Sequence, residues 1–364
     1  MVASLVSLLV LGLLVIVHEA GHFIVARWAG VRVLRFSMGF GPRLLTWRRG
    51  HTEYAVSAIP LGGYVKMAGE QAPAGTAQAG EPWEYLSKPI STRAGIVFAG
   101  PFVNYLVGLL SFWVVFVIGY PELLSVVGKV VEEMPAQAAG LQPGDRIAAI
   151  DGQPVETWEE MTEIIYDSPE RPLRFQIERE GGEAFGVTIA PKAKASADHF
   201  GRPKTIGQIG ISASGASRLY RPGPVKAVGE TIKLQNEVIG QTMVALWLMV
   251  TGRLSMRESV TGPIGIVFMV QDALHLGLSS ALTFVAIISL SLAIFNLFPL
   301  PILDGGHLLF LALEKLRGKP VSVTIQERSA QVSFVALLAL VLVICINDVN
   351  RFGLVEKVGQ WMRR

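Results

Sequence analysis

Long apolar runs alternate with charge-bearing stretches along this chain of 364 residues. A membrane-crossing helix takes about 20 mostly apolar residues. By that measure four segments can span: about Val2 to Ala26, Gly95 to Gly119, Ala281 to Leu313, and Val332 to Ile346. The third is interrupted by Asn296, Pro299, Pro301, Gly305 and Gly306. The fourth is short and ends at Asn347-Asp348. Thr242 to Val250 is too short to span. Preceded by Lys226, Glu230, Lys233 and Glu237, it reads as an amphipathic helix at the membrane interface. No Lys or Arg precedes the first apolar run and no small-residue cleavage site closes it, so it reads as a retained span rather than a cleaved leader.

Between the second and third spans the period changes. Val126 to Val131 and Arg146 to Ile150 read as strands, with Pro143, Gly144 and Asp151-Gly152 as turn chemistry. Thr157 to Tyr166 reads as a helix capped by Thr157, with Glu159 and Glu160 in its first turn. Leu173 to Glu178 alternates as a strand and Phe185 to Ile189 returns after Gly181-Gly182. Between the first two spans, Tyr54 to Ala68 alternates weakly around Pro60, Gly62 and Gly63 and reads as a short β element touching the membrane. The expected organisation is an N-terminal membrane part (1–119, with a cytoplasmic β loop at 31–70), a compact α+β domain (123–192), a linker with interfacial helices (193–280), and a C-terminal membrane part (281–364). The fold class is thus a polytopic α-helical membrane protein of four spans with an inserted α+β domain and a small membrane-associated β element.

Composition agrees with this reading. Hydrophobic residues make up 51% and charged ones 17%, against about 25% charged in an ordinary soluble domain. Mean hydropathy is +0.45. The net charge is only +3 and no basic tract carries interleaved aromatics, so nucleic acid is not an expected partner. The single cysteine, Cys345, excludes an internal disulfide and thiolate-rich metal sites. Arg27, Arg32, Arg35, Arg43, Arg48 and Arg49 follow the first span, and Lys315, Arg317, Lys319 and Arg328 follow the third. By the positive-inside rule both loops are cytoplasmic, which puts the inserted domain on the far side.

The candidate chemistry lies within the spans. His18-Glu19-Ala20-Gly21-His22 puts two imidazoles at i and i+4, on one face of a helix. Such a pair can bind one metal ion, with the adjacent glutamate as general base. Ionisable groups in an apolar span cost at least about 2–3 kcal/mol each on insertion scales, which favours function over a hydrogen-bonded polar patch. A catalytic zinc takes three protein ligands and an open position for a water, whose pKa it lowers to near neutral. Asp304 is the carboxylate within another span, in Asn296-Leu297-Phe298-Pro299-Leu300-Pro301-Ile302-Leu303-Asp304-Gly305-Gly306-His307. Broken backbone at membrane depth is tolerated where it is buried in protein or lines a cavity. His307 is a competing third ligand, but two histidines and a carboxylate form a recognised catalytic set. The ligand types suit one Zn2+, while manganese, iron and cobalt are chemically admissible.

With these motifs the sequence resembles the site-2 protease family of intramembrane zinc metalloproteases. Gly100-Pro101-Phe102-Val103-Asn104 resembles a further family motif, and Gly39 to Pro42 with Ile59 to Lys66 resembles the bacterial RseP-like branch. The insert resembles a PDZ domain, best over Ala139 to Ile147, and there is one such unit where well-known members of the branch carry two. The resemblance implies a multi-pass protein of the bacterial inner membrane, with its active site toward the cytoplasm and its PDZ-like domain extracytoplasmic. It implies cleavage of single-span membrane proteins already trimmed on the far side, such as anti-sigma factors, and of leftover signal peptides. Asn296, Pro299 and Pro301 would hold the substrate backbone or stabilise an oxyanion, with Asn104 nearby. Gly62, Gly63 and Tyr64 would pair with an unwound substrate. The PDZ-like domain would bind a substrate's new C-terminus or exclude bulky substrates sterically. The competing classes are a non-catalytic PDZ membrane scaffold, disfavoured by the intact Glu19, and a metal transporter, disfavoured by the lack of an internal repeat.

Overall fold

The computed structural model describes residues 2–70, 80–182, 184–197, 203–255 and 260–351. Among the described residues, four helices are long and apolar enough to cross a membrane: Val6–Trp28, Ile90–Ile118, Leu278–Asn296 and Val323–Arg351. Their chain elements are α1 (Val2–Trp28), α2 (Ile90–Ile118), α7 (Leu278–Asn296) and α9 (Val323–Arg351). Between α7 and α9 lies a separate helix, α8 (Asp304–Arg317). The third apolar run is therefore two helices joined by a turn. Proline cannot donate a backbone N–H, and Pro299 and Pro301 sit in the interruption.

The chain divides into two compact units. One comprises Met1–Val114, Thr231–Ile239 and Ser255–Arg364, and the other Val115–Glu230 and Gly240–Leu254. In the first, strands β1 (Val33–Arg49) and β2 (Thr52–Met67) form a hairpin much longer than the expected β element. Its register folds back on itself. Phe36 pairs with Tyr54 on one side and with Val65 on the other, and Arg43 to Arg49 pair with Thr52 to Ser57. Two strands thus make four ribbons, and the stretch from Gly63 to Met67 is an edge. Gly62, at φ 115°, permits the reversal, since a Cβ there would overlap the Phe40 ring. The hairpin base packs Val33 and Met67 against Ala26 of α1 and Ile96 of α2.

The second unit holds the PDZ-like domain. A sheet of order β6-β5-β7-β8 is built from Gln153–Pro154, Arg146–Ile150, Leu173–Glu178 and Phe185–Ile189. It carries helices α3 (Pro135–Ala138) and α4 (Trp158–Tyr166). Along β7, Leu173, Phe175 and Ile177 are fully buried while their neighbours are exposed, the period-2 pattern of a half-buried strand. They pack with Val127, Met161, Ile165 and Ile189. Helix α4 begins with a reciprocal capping box between Thr157 and Glu160.

The segment expected to be linker continues this unit. Strands β9 (Lys192–Ala197) and β10 (Pro203–Gln208) pair with each other. Strand β11 (Ile211–Ala213) pairs with β4 (Val127–Val130), and β12 (Ser217–Tyr220) pairs with β3 (Tyr120–Leu123). Ile209 enters the core. Short strands rich in Lys, Ser, Ala and Gly carry little apolar periodicity, and it is their pairing partners that define them. Thr242 to Val250 is the end of a 27-residue helix, α5 (Pro224–Val250), and α6 (Pro263–His275) precedes α7.

Candidate metal centre

Helix α1 presents His18 and His22 one turn apart, and the first residue of α8 is Asp304. His18 Nε2 lies 3.2 Å from His22 Nε2. Asp304 Oδ2 lies 3.0 Å from His18 Nε2 and 3.5 Å from His22 Nε2. Zinc bonds of about 2.0–2.1 Å in a tetrahedral site put donor atoms roughly 3.3–3.4 Å apart. The three observed edges bracket that spacing. Asp304 Oδ2 is buried and makes no hydrogen bond of ordinary geometry. Three converging electron-pair donors with an unsatisfied buried oxygen fit a divalent cation, and these three residues form a potential metal-holding group. His307, on the next turn of α8, lines the adjoining cavity but does not belong to that group.

The turn before α8 aims Asp304. Leu300 N–H donates to Phe298 O and Leu303 N–H to Leu300 O. A Cβ on Gly305 would strike the carbonyls of Leu297 and Phe298, and one on Gly306 would strike Leu300 O and Pro301. The glycine pair lets the chain double back tightly enough to start a helix with a carboxylate. A carboxylate in the first turn is also favoured by the helix dipole.

Helix α2 supports both imidazoles. His22 Nδ1 is 2.8 Å from Ile96 O, and His18 Nδ1 is 3.3 Å from Asn104 Nδ2. Between them, Gly100 faces the rings so closely that a Cβ would lie 2.6 Å from His22 Cε1 and 2.7 Å from His18 Nε2. Gly21 of α1 plays the reciprocal part, since its Cβ would sit 2.5 Å from Ala99 O. Small residues of this kind let two helices approach within a membrane. Glu19 meets the hairpin edge. The Val65 N–H bonds its carboxylate, and a Cβ on Gly63 would be 3.4 Å from its Cγ. Tyr64 accepts a hydrogen bond from Arg35 at 3.3 Å and stacks on Phe40.

Glu19, His22 and Asp304 line a cavity of about 280 Å³, whose walls include Tyr64, Tyr85 and the buried Arg93–Glu314 ion pair. Asn104 is wholly buried beside His18. Among the described contacts, Asn296, Pro299 and Pro301 make none with the two histidines or Asp304. Asn296 ends α7, and Pro299 is exposed in the turn. Sequence reasoning left out Gly100 and the Ile96 carbonyl as parts of the site. Gly100 had a signal, as the first residue of the Gly100 to Asn104 motif. A backbone carbonyl has none.

A model of peptidase family M50 matches residues 6–340. A relative from Rhizobium meliloti named as a zinc metalloprotease is 38% identical over 357 residues, 94% of this chain and 95% of its own length. The regulator of sigma-E protease RseP of Escherichia coli K12 is 31% identical over 447 residues, 94% of this chain and 97% of that one. Since this chain has 364 residues, more than roughly 80 positions of that alignment face gaps here. The PDZ domain of an SdrC-like protein from Listeria monocytogenes matches 26% of this chain and 88% of its own at 24% identity, with a TM-score of 0.19.

Proposed function

Because the chain belongs to peptidase family M50 and is a site-2-type zinc metalloprotease with RseP-like relatives, we propose that it cuts the membrane-spanning segments of single-span proteins at one zinc ion held by His18, His22 and Asp304. The observation that carries this reading is the triangle of His18 Nε2, His22 Nε2 and Asp304 Oδ2, with edges of 3.0 to 3.5 Å, beside a glutamate in the same cavity. Zinc supplies a Lewis acid and a water of near-neutral pKa. Glu19 accepts the proton from the attacking water on its carboxylate and returns it to the departing amine nitrogen. General-base help of this kind contributes about 10²- to 10⁴-fold. Helices of a substrate must unwind before their amide bonds are open to attack. The Gly63 to Met67 edge, against Glu19, pairs with β1 on one side only, and the unwound segment adds on the other, displacing Glu19 from the Val65 amide and Glu70 from the Met67 amide. Tyr64, on that strand, lines the cavity the segment enters.

Within the bacterial inner membrane, the charge asymmetry of the loops orients the active site toward the cytoplasm and the PDZ-like domain away from it. Substrates of this orientation are spans left after trimming on the far side, such as those of anti-sigma factors. The PDZ-like domain gates entry, by binding a new C-terminus or by excluding bulk. Asn296 and the turn around Pro299 and Pro301 hold the substrate backbone or stabilise the oxyanion once it has entered.

The test uses purified full-length protein and a single-span model substrate. Wild type cleaves it within the span, a zinc chelator stops cleavage, and Glu19→Gln lowers the rate by at least about 100-fold while keeping its zinc. Cleavage by Glu19→Gln at the wild-type rate sinks the mechanism.

A further inference from the structure

We propose that Asn104 is a positioning residue that holds His18 in the tautomer protonated at Nδ1, and so sets the affinity of the site for zinc; this rests on the metal reading above. Ile96, Gly100 and Asn104 follow one another at four-residue spacing on one face of α2, and all three meet the histidines of α1. A neutral imidazole has one donor and one acceptor nitrogen. When Nε2 gives its lone pair to a cation, the ring proton sits on Nδ1 and requires an acceptor. For His22 that acceptor is Ile96 O at 2.8 Å, a group that only accepts.

For His18, the polar group facing Nδ1 is the Asn104 carboxamide, 3.3 Å away. A carboxamide offers a donor at one end and an acceptor at the other, and a half-turn about χ2 exchanges them. Asn104 Oδ1 is buried without a hydrogen-bond partner, and the half-turn gives it the Nδ1–H of His18. Asn104 is 0% exposed, and its backbone carbonyl accepts from Ser289 Oγ of α7 at 2.8 Å. The side chain is thus fixed in position and shielded from solvent, leaving its rotation as its main freedom. Both metal-binding imidazoles then take their orientation from one helix, one through a backbone oxygen and one through a replaceable side chain.

The test compares full-length wild type, Asn104→Asp and Asn104→Leu in detergent, by zinc content in competition with a chelator of known affinity. Aspartate keeps an acceptor at the same place, while leucine keeps the bulk and loses it. Loss of such an outer partner typically weakens metal binding about 10- to 100-fold. Asn104→Leu is expected to show that loss, and Asn104→Asp to stay within about threefold of wild type. Asn104→Leu is expected to unfold at the wild-type temperature once stripped of zinc, which separates tautomer control from a packing role. Wild-type affinity in Asn104→Leu overturns the proposal, as does equal weakening in both variants. Wild-type protein that binds no zinc overturns the metal reading itself.

Discussion

Replacing Gly100 with alanine should strengthen helix α2 and damage the proposed metal site at the same time. Alanine is preferred over glycine within a helix by about 0.5–1 kcal/mol. The added Cβ, however, would stand 2.6 Å from His22 Cε1 and 2.7 Å from His18 Nε2, whereas ordinary contact begins at 3.4 Å. The rings must therefore retreat by at least about 0.7 to 0.8 Å, and further at His22 Nε2, which the Cβ would meet more closely still, or α1 and α2 must part. Parting would open the close packing of Gly21 against Ala99 between the same two helices. Metal–ligand distances tolerate about 0.2 Å. A displacement more than threefold larger, at two of three ligands, should weaken zinc binding at least about 100-fold, or about 2.8 kcal/mol. The assay is zinc affinity by chelator competition, alongside turnover of a model substrate and thermal unfolding of the zinc-free protein. Gly95→Ala is the control, since a Cβ there meets nothing within 4 Å on the same helix. If Gly100→Ala binds zinc and turns over within threefold of Gly95→Ala, the rings have slack or these nitrogens do not hold the metal.

Two further outcomes concern stability. Arg93 and Glu314 form a two-bonded ion pair, with side chains 8% and 16% exposed; removing either partner alone strands a buried charge and should cost about 3–5 kcal/mol, whereas Arg93→Met with Glu314→Leu should cost less than either single change, as read by denaturant unfolding in detergent. In the PDZ-like domain, burial pushes the Asp145 carboxyl up, but hydrogen bonds from Arg179 and the Gln142 amide outweigh it and hold the group below its usual range. Its stabilisation is therefore present at neutral pH and lost as pH falls below about 4. Asp145→Asn should lower stability near pH 7 by about 1.5–3 kcal/mol and flatten that acid limb, measured by amide exchange of the domain's core strands in the full-length protein.

The local part of this architecture was written in the sequence. Apolar length marks the membrane helices because each must cover its own backbone donors in lipid. The i, i+4 spacing puts His18 and His22 on one face, and Thr157 with Glu160 announces the start of α4, because helix geometry acts over a single turn. The alternation of Leu173, Phe175 and Ile177 marks a strand with one buried face. The sequence named Asp304 as the expected third ligand, but only the tertiary structure set its distance to the histidines, joined Arg35 to two halves of β2, and seated Gly100 and Ile96 O against the imidazoles. Those approaches join residues far apart in the chain, and they depend on how closely packed helices come together. A missing Cβ or a carbonyl direction decides that closeness, and neither leaves a periodic trace in the sequence.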